Sequence, residues 1–284
     1  MNIIAITMVY NEGDTLRRWL RHYGNQFGPK NLLVLDHGSD DGSTADLGQS
    51  GRINLPRSVY DNNQRAAFIT NLQKDLFGYY DAVVYSDCDE LIVADPRRYS
   101  GLADYIQKME GEVARPVGFN VFQDVIPGTP LERDRTISEQ RDYAIFRVGM
   151  CKPLVARAPV RWVPGFHSCD KRVSIDPSLY LFHTKDADFQ ASLRRLGVTR
   201  NLPWSERSLA GRQGAHQRRS DDEWIRTNFE GPIAQLQREG VRDFTFDDVV
   251  QTYDSKLEKK GAMWICPGFP GGIYRVPDWL RGAF

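Results

Sequence analysis

Short apolar runs alternate with amphipathic stretches over the first ninety residues. Ile3 to Val9 is such a run, suited to a strand buried on both faces. Asp14 is placed to cap a helix starting at Thr15. Along it Leu16, Trp19, Leu20 and Tyr23 recur at i, i+3, i+4 and i+7, and Gly24 is placed to end it. Leu32 to Leu35 is a second run that stops at Asp36, and the polar loop His37-Gly38-Ser39-Asp40-Asp41-Gly42-Ser43 follows. Gln64 to Phe77 reads as a helix. Ala82 to Tyr85 reads as a strand that runs directly into Ser86-Asp87-Cys88-Asp89-Glu90. Strands separated by helices predict an α/β fold on a mixed, mostly parallel sheet flanked by helices.

The pattern loosens after residue 100. Val117 to Phe122, Tyr143 to Val148 and Leu179 to Phe182 read as strands, the last ending at His183. Asp186 to Leu196, Asp221 to Glu239 and Asp247 to Lys260 read as helices. Arg200 to Ser220 is rich in Arg, Gly and Ser without a period, and reads as a long loop. Trp264, Phe269, Tyr274 and Trp279 lie among prolines and glycines near the end. Such aromatics more often cover a core than form a sugar-stacking platform. The expected organisation is a main domain over 1–196, with a helical and irregular extension over 197–284 packed on it.

Composition narrows the function classes. Lys plus Arg and Asp plus Glu both total 37 of 284 residues, so the net charge is zero. With no long basic run, nucleic acid is not an expected partner. A chain that is 11% aromatic and 26% charged is globular. No apolar stretch reaches the roughly 18 residues of a membrane span. The four cysteines form no CxxC pair, which speaks against a zinc knuckle or disulfide framework. With no leader pattern at the N-terminus, the expectation is a cytoplasmic protein.

Asp87-Cys88-Asp89-Glu90 carries the sharpest chemistry. Alternation along a strand puts Asp87 and Asp89 on one side, at the edge where open α/β sheets bind ligands. Carboxylates gathered there repel unless a hard divalent cation joins them, and such an ion also holds a diphosphate. Asp36 ends another strand and can accept from a base or ribose, although a turn with a cap explains its loop equally well. His183, after an apolar strand, can complete a carboxylate-rich metal site. His22, His37 and His216 read as a helix surface and two loops.

Taken in order, Thr7-Met8-Val9-Tyr10-Asn11-Glu12, Leu35-Asp36 through Ser43, and Asp87-Cys88-Asp89-Glu90 resemble a family 2-like glycosyltransferase of the GT-A, Rossmann-like fold. Trp19-Leu20-Arg21-His22-Tyr23 and Gln64-Arg65 with Asn71 fit one branch of it. Cys151-Lys152-Pro153, Gly165-Phe166-His167 and Leu181-Phe182-His183-Thr184-Lys185 fit more loosely. Leu91 and Thr184 stand where that branch usually has aromatics. The resemblance covers about residues 1 to 195 and makes 1–196 the catalytic domain. It implies a nucleotide-sugar donor, most simply a UDP-sugar, with Mn²⁺ or Mg²⁺ as cofactor. The acceptor it implies is a carbohydrate or glycolipid hydroxyl in surface polysaccharide synthesis, with inversion and peripheral membrane contact. Thr7, Tyr10 and Glu12 would line the nucleotide pocket, Asp36 would meet the base, and Arg65 the nucleotide or its phosphates. Asp87, Asp89 and His183 would bind the metal, with Asp87 nearer the ribose. Lys152 and His167 would lie near the diphosphate or acceptor. Asp124 is the preferred general base, with Glu139, Asp142 and Asp170 as alternatives. Apart from the resemblance, Arg207, Arg212, Arg218 and Arg219 read as a basic loop that closes over the diphosphate or grips an anionic acceptor, although a solvated surface loop explains them equally well.

Two other readings stand beside this one. A haloacid-dehalogenase-like phosphotransferase also uses a strand-end DxD, with its first Asp as nucleophile. A non-catalytic sugar- or nucleotide-binding module would need no leaving-group metal.

Overall fold

The computed structural model describes residues 1–211 and 213–284. Arg212 of the expected basic loop lies outside the described residues. The first half alternates β1 (Ile3–Val9), α1 (Gly13–Phe27), β2 (Leu32–Asp36), β3 (Gly51–Asn54), α2 (Asn62–Leu76) and β4 (Ala82–Tyr85). The four strands form a parallel block in the order β3-β2-β1-β4. β3 has no apolar pattern because all four of its residues are exposed at the sheet edge. α1 continues through Gly24 to Phe27, and Gly28 ends it by taking φ +83° and donating its N–H to Gly24 O at 2.9 Å.

β5 (Glu90–Ala94) follows the acidic segment immediately, and then come α3 (Leu102–Lys108), β6 (Val113–Phe122), β7 (Tyr143–Phe146), β8 (Val155–Ala156) and β9 (Ile175–Asp186). β8 pairs antiparallel with both β4 and β6, so it joins the parallel block to an antiparallel one. β9 is longer than its apolar centre suggests, because it is held on both sides, parallel to β6 and antiparallel to β5. α4 (Phe189–Arg200) follows. The stretch expected as loop contains α5 (Glu206–Ala210) and a 3₁₀ turn at Ala215–Arg218. Residues 221–239 are a continuous helix, made of α6 (Asp221–Ile225), a π turn (Arg226–Glu230) and α7 (Gly231–Glu239). α8 (Asp247–Lys256) stops short of Lys260, since Glu258–Lys260 is β10, hairpinned to β11 (Met263–Ile265). β12 (Ile273–Arg275) then adds to β7 in the main sheet.

Residues after 196 therefore share the core of the rest. Phe284 stacks on Phe182 at 3.8 Å, and Tyr274 packs edge-on to Phe119 at 5.5 Å. The other tail aromatics also cover the core. Trp279 packs on Phe244 with the Arg97 guanidinium 3.8 Å from its ring, and Phe269 packs on Phe146. Among the described residues, no helix is long and apolar enough to cross a membrane.

Three features aim this framework at the acidic segment. Asp87 to Asp89 form a turn rather than a strand end, closed by Glu90 N donating to Asp87 O at 2.9 Å. The buried face of α1 pins that turn. Trp19 Nε1 donates to Ser86 Oγ at 2.8 Å, Tyr23 OH to Glu90 O at 3.0 Å, and the His22 ring meets Ile92 O at 2.9 Å. His22 is thus buried, not on the helix surface. Lastly, Gly118 in β6 lets the backbone of Met150 and Cys151 lie directly on the strand. A Cβ there would overlap the Met150 carbonyl carbon, and this contact delivers Lys152 beside Glu90.

Candidate active site

Residues that directly follow β1, β2 and β4 converge on one cleft, the position at which open α/β sheets bind ligands. Tyr10 and Glu12 come from the first strand end, His37 from the second, and Asp87 and Asp89 from the third. Asn11 latches the first two loops together. It takes φ +53°, accepts from Asp40 N at 2.9 Å, and donates its amide to Asp40 Oδ1 at 2.7 Å. The Asp40 loop therefore serves the framework.

Register explains the acidic centre. Glu90 of β5 and Asn120 of β6 both pair with His183 of β9. His183 Nε2 lies 3.2 Å from Asp89 Oδ2, while its Nδ1 meets Asn120 Oδ1 at 3.0 Å. Thr184, where an aromatic was usual, ties down the turn by donating N–H and hydroxyl to Asp89 O at 2.8 and 3.0 Å. Burial would raise the Asp89 carboxyl, but His183, Lys185 and Lys152 outweigh it and hold it well below the usual range.

Asp89, Glu90 and His183 offer ligand atoms all within 4.8 Å of one another. Two carboxylates and an imidazole suit Mg²⁺ or Mn²⁺. The 3.2 Å between the Asp89 and His183 atoms is near the ~3 Å between adjacent ligands of an octahedral ion with ~2.1 Å bonds. Asn120 keeps the His183 tautomer that leaves Nε2 free to ligate. The donor set thus fits such an ion, with one change from the sequence reading. Glu90 falls within this group and Asp87 outside it: the Asp87 carboxylate is ion-paired to Arg65, accepts from Tyr85 OH at 2.9 Å, and lies 3.6 Å from Lys152, while Glu90 is itself ion-paired to Lys152.

Cations surround this centre. Arg65 donates to Tyr85 OH at 2.7 Å as well as to Asp87. Lys152 is buried in an ion pair with Glu90. Arg195 of α4 pairs with Glu12 and donates to Tyr10 O at 2.9 Å. Burial raises the Glu12 carboxyl to about 7 despite Arg195. Arg57 lies 3.8 Å over the Tyr10 ring. Lys185, two residues along β9 from His183, has its ammonium 4.5 Å from the Trp224 ring and lowered in pKa by burial. His167 stands at the rim with its Nδ1 on Gly149 O.

Several expected site residues lie elsewhere. Thr7 is fully buried within β1 and faces no ligand space. Asp36 is 2% exposed, and its carboxylate is already used by Ser39 N at 2.8 Å, Thr44 Oγ1 at 2.7 Å and Arg52 at 2.7 Å. It holds its own loop rather than a base. None of the expected bases lines the cleft. Asp124 lies in the β6–β7 connection. Glu139 closes a capping box with Thr136, Asp142 pairs with Arg281, and Asp170 accepts from Arg161 N at 2.9 Å. The segment after α5 reaches the cleft through Gln213, Gly214, His216 and Gln217. Arg207 is exposed away from it, and Arg218 turns to the Trp204 ring.

Glu90, Asn120, Arg57 and Arg195 also line the cleft and are not among the residues expected from the sequence. Two of these carry a signal. Asn120 is the one polar side chain in the apolar run Val117 to Phe122, and Arg195 shares a helix face with the buried Ser192 and Thr199.

No protein-family model matches the chain, and no curated protein matches it. Among solved structures, it is similar to the mannosyltransferase PcManGT from Pyrobaculum calidifontis in complex with GDP-Man and Mn²⁺. That likeness is 18% identity over 43% of this chain and 36% of that one, with a TM-score of 0.30. It is also similar to mannose-1-phosphate geranyltransferase from Thermus thermophilus, with 13% identity over 52% of this chain and 48% of that one, again at a TM-score of 0.30. The match spans less than half of either structure, and a likeness at this level assigns neither fold nor function.

Proposed function

We propose that this chain is a divalent-metal-dependent glycosyltransferase. It moves a sugar from a nucleoside diphosphate, UDP on the sequence resemblance, to a carbohydrate or glycolipid hydroxyl with inversion. One observation carries the reading. At the ends of β1, β2 and β4, a metal-competent donor set of Asp89, Glu90 and His183 lies beside Arg65, Lys185 and Arg195. A metal-bound diphosphate is a ligand that needs both signs in one cleft.

On this reading Tyr10, His37 and Arg57 form the nucleoside side of the cleft, and Arg65 and Lys185 face the diphosphate. Asp89, Glu90 and His183 hold Mn²⁺ or Mg²⁺, which when bound neutralises the diphosphate and eases its departure. Lys152 pairs with Glu90 and holds it in place against the rise that burial imposes on its carboxyl, and Asn120 orients His183. Lys185 also borders the neighbouring cavity beside Thr15, Arg18 and Arg194, which takes the acceptor. Synthesis of surface polysaccharide at the inner face of a membrane is the setting this reading implies. The haloacid-dehalogenase-like reading fits less well, because the Asp87 carboxylate is engaged by Arg65 and Tyr85 rather than free to attack.

A thermal-shift panel of UDP- and GDP-sugars with and without Mn²⁺ tests the proposal. Stabilisation by at least one nucleotide that requires the ion, and that Asp89→Ala abolishes, is the expected result. Equal stabilisation in EDTA would overturn it.

A further inference from the structure

The helix at 221–239 changes pitch where it passes the cleft. Residues Arg226–Glu230 form a π turn, and Pro232 supplies a local reason for it. In an unbroken α-helix the proline would lack its N–H and press on the carbonyl of Asn228, four residues earlier. The wider turn also changes which side chains share a face. At 3.6 residues per turn, Trp224 and Phe229 would point about 140° apart. Here both are buried, in one cluster with Leu196. Trp224 is fixed by its Nε1 donating to Ser192 Oγ at 2.8 Å, and it lies under the Lys185 ammonium.

This geometry brings Asn228 to the wall of the cavity, of about 380 Å³, that also holds Asp89, Glu90 and His183. Its Nδ2 is enclosed and has no hydrogen-bond partner among the described residues. An enclosed amide without a partner is a net cost to the fold, and turns of this kind are common at functional sites. We propose that Asn228 is a specificity residue whose amide reads a hydroxyl of the donor's sugar ring. The inference rests on the function proposed above and adds to it the residue that tells the sugar from the nucleotide. The nucleoside side of the cleft is bounded by Tyr10 and Arg57. Arg65, Asp87, Asp89 and Lys185 border both cavities. A sugar attached to a diphosphate held at those residues extends toward Asn228.

The test compares Kd for UDP with Kd for UDP-glucose and UDP-galactose, and Kd for GDP with Kd for GDP-mannose. Titrations are run in Mn²⁺ on wild type, Asn228→Ala and Asn228→Leu, with Tm measured for each. The expected result is that both variants weaken the preferred sugar nucleotide by about 2- to 10-fold, the range of one neutral hydrogen bond. Affinity for the bare diphosphate stays unchanged and Tm does not fall, since no bond within the fold is lost. An unchanged ratio of the two affinities, or an equal loss of both, overturns the assignment of Asn228 while leaving the cleft's function standing. Failure of the wild type to bind any of these nucleotides overturns both.

Discussion

Lys152→Met should destabilise the protein in a way that depends on pH. Lys152 is 3% exposed and ion-paired with Glu90, which is 1% exposed. Burial already raises the Glu90 carboxyl from 4.5 to about 7 with Lys152 opposing it, and removing the ammonium raises it further. Wild type already carries a cost of about 3 kcal/mol at pH 7 from a carboxyl at about 7 in the folded state and 4.5 in the unfolded state, and the variant adds only the further rise. The full loss on stranding one partner of a buried pair is about 3–5 kcal/mol. The sign follows from proton binding. Between pH 4.5 and the raised pKa, the folded variant binds more protons than the unfolded chain, so its stability rises as pH falls. The deficit against wild type should be largest at the alkaline end of the range. It should grow by up to about 1.4 kcal/mol per pH step between pH 7 and the variant's raised pKa, whereas below pH 7 both folded proteins hold the proton and the deficit is constant. Urea unfolding in EDTA from pH 4.5 to 8.5 measures it, with Lys152→Met/Glu90→Gln as control. That double variant should recover most of the loss at pH 8. Parallel curves for wild type and Lys152→Met above pH 7, or a double variant no more stable than the single one, would refute the reasoning.

Asn120→Ala should weaken Mn²⁺ affinity by about 10- to 100-fold with little change in Tm, because it frees the His183 ring without removing a ligand; calorimetric titration checks this. His22, pushed down to about 4 by burial, stays neutral in the fold while the unfolded chain takes a proton below pH 6.5. Wild type should therefore lose about 3 kcal/mol on this account between pH 6.5 and 4, and the stability curve of His22→Gln should be flatter over that window. Gly118→Ala forces a Cβ into the Met150 backbone and should cost at least about 3 kcal/mol, whereas Gly197→Ala meets nothing within 4 Å on α4. The latter should raise stability by about 0.5–1 kcal/mol, and thermal unfolding of the two separates a packing glycine from a dispensable one.

The parallel block was legible because burial on both faces writes itself as an apolar run. Ile3–Val9 and Ala82–Tyr85 match their strands residue for residue. β3 was invisible for the opposite reason, since an exposed edge needs no apolar side chains. The ends of β9 were missed because two neighbouring strands hold them, which no local signal encodes. The long helix at 221–239 was legible in extent, but its π turn follows from Pro232 acting on a carbonyl four residues back.

Acidic residues in the site were harder to read, and the reason is physical. A strand-end aspartate is a ligand only if its lone pairs are left over, and sequence does not count the donors that will reach it. Asp36 and Asp89 look equivalent along the chain, each next to a turn after an apolar strand. In the fold Asp36 meets Arg52, Thr44 and the Ser39 amide, and its bonding capacity is used up. Among the described residues the Asp89 carboxylate meets only an imidazole whose other nitrogen is bonded to Asn120, and its remaining capacity faces the cleft. The same count separates Glu12, held by Arg195, from the exposed Asp170. It also explains how a chain of zero net charge concentrates both signs in one place. The cations at the cleft come from the β3–α2 connection, α2, β9, α4 and the loop after Met150, five segments that the fold brings to one acidic turn.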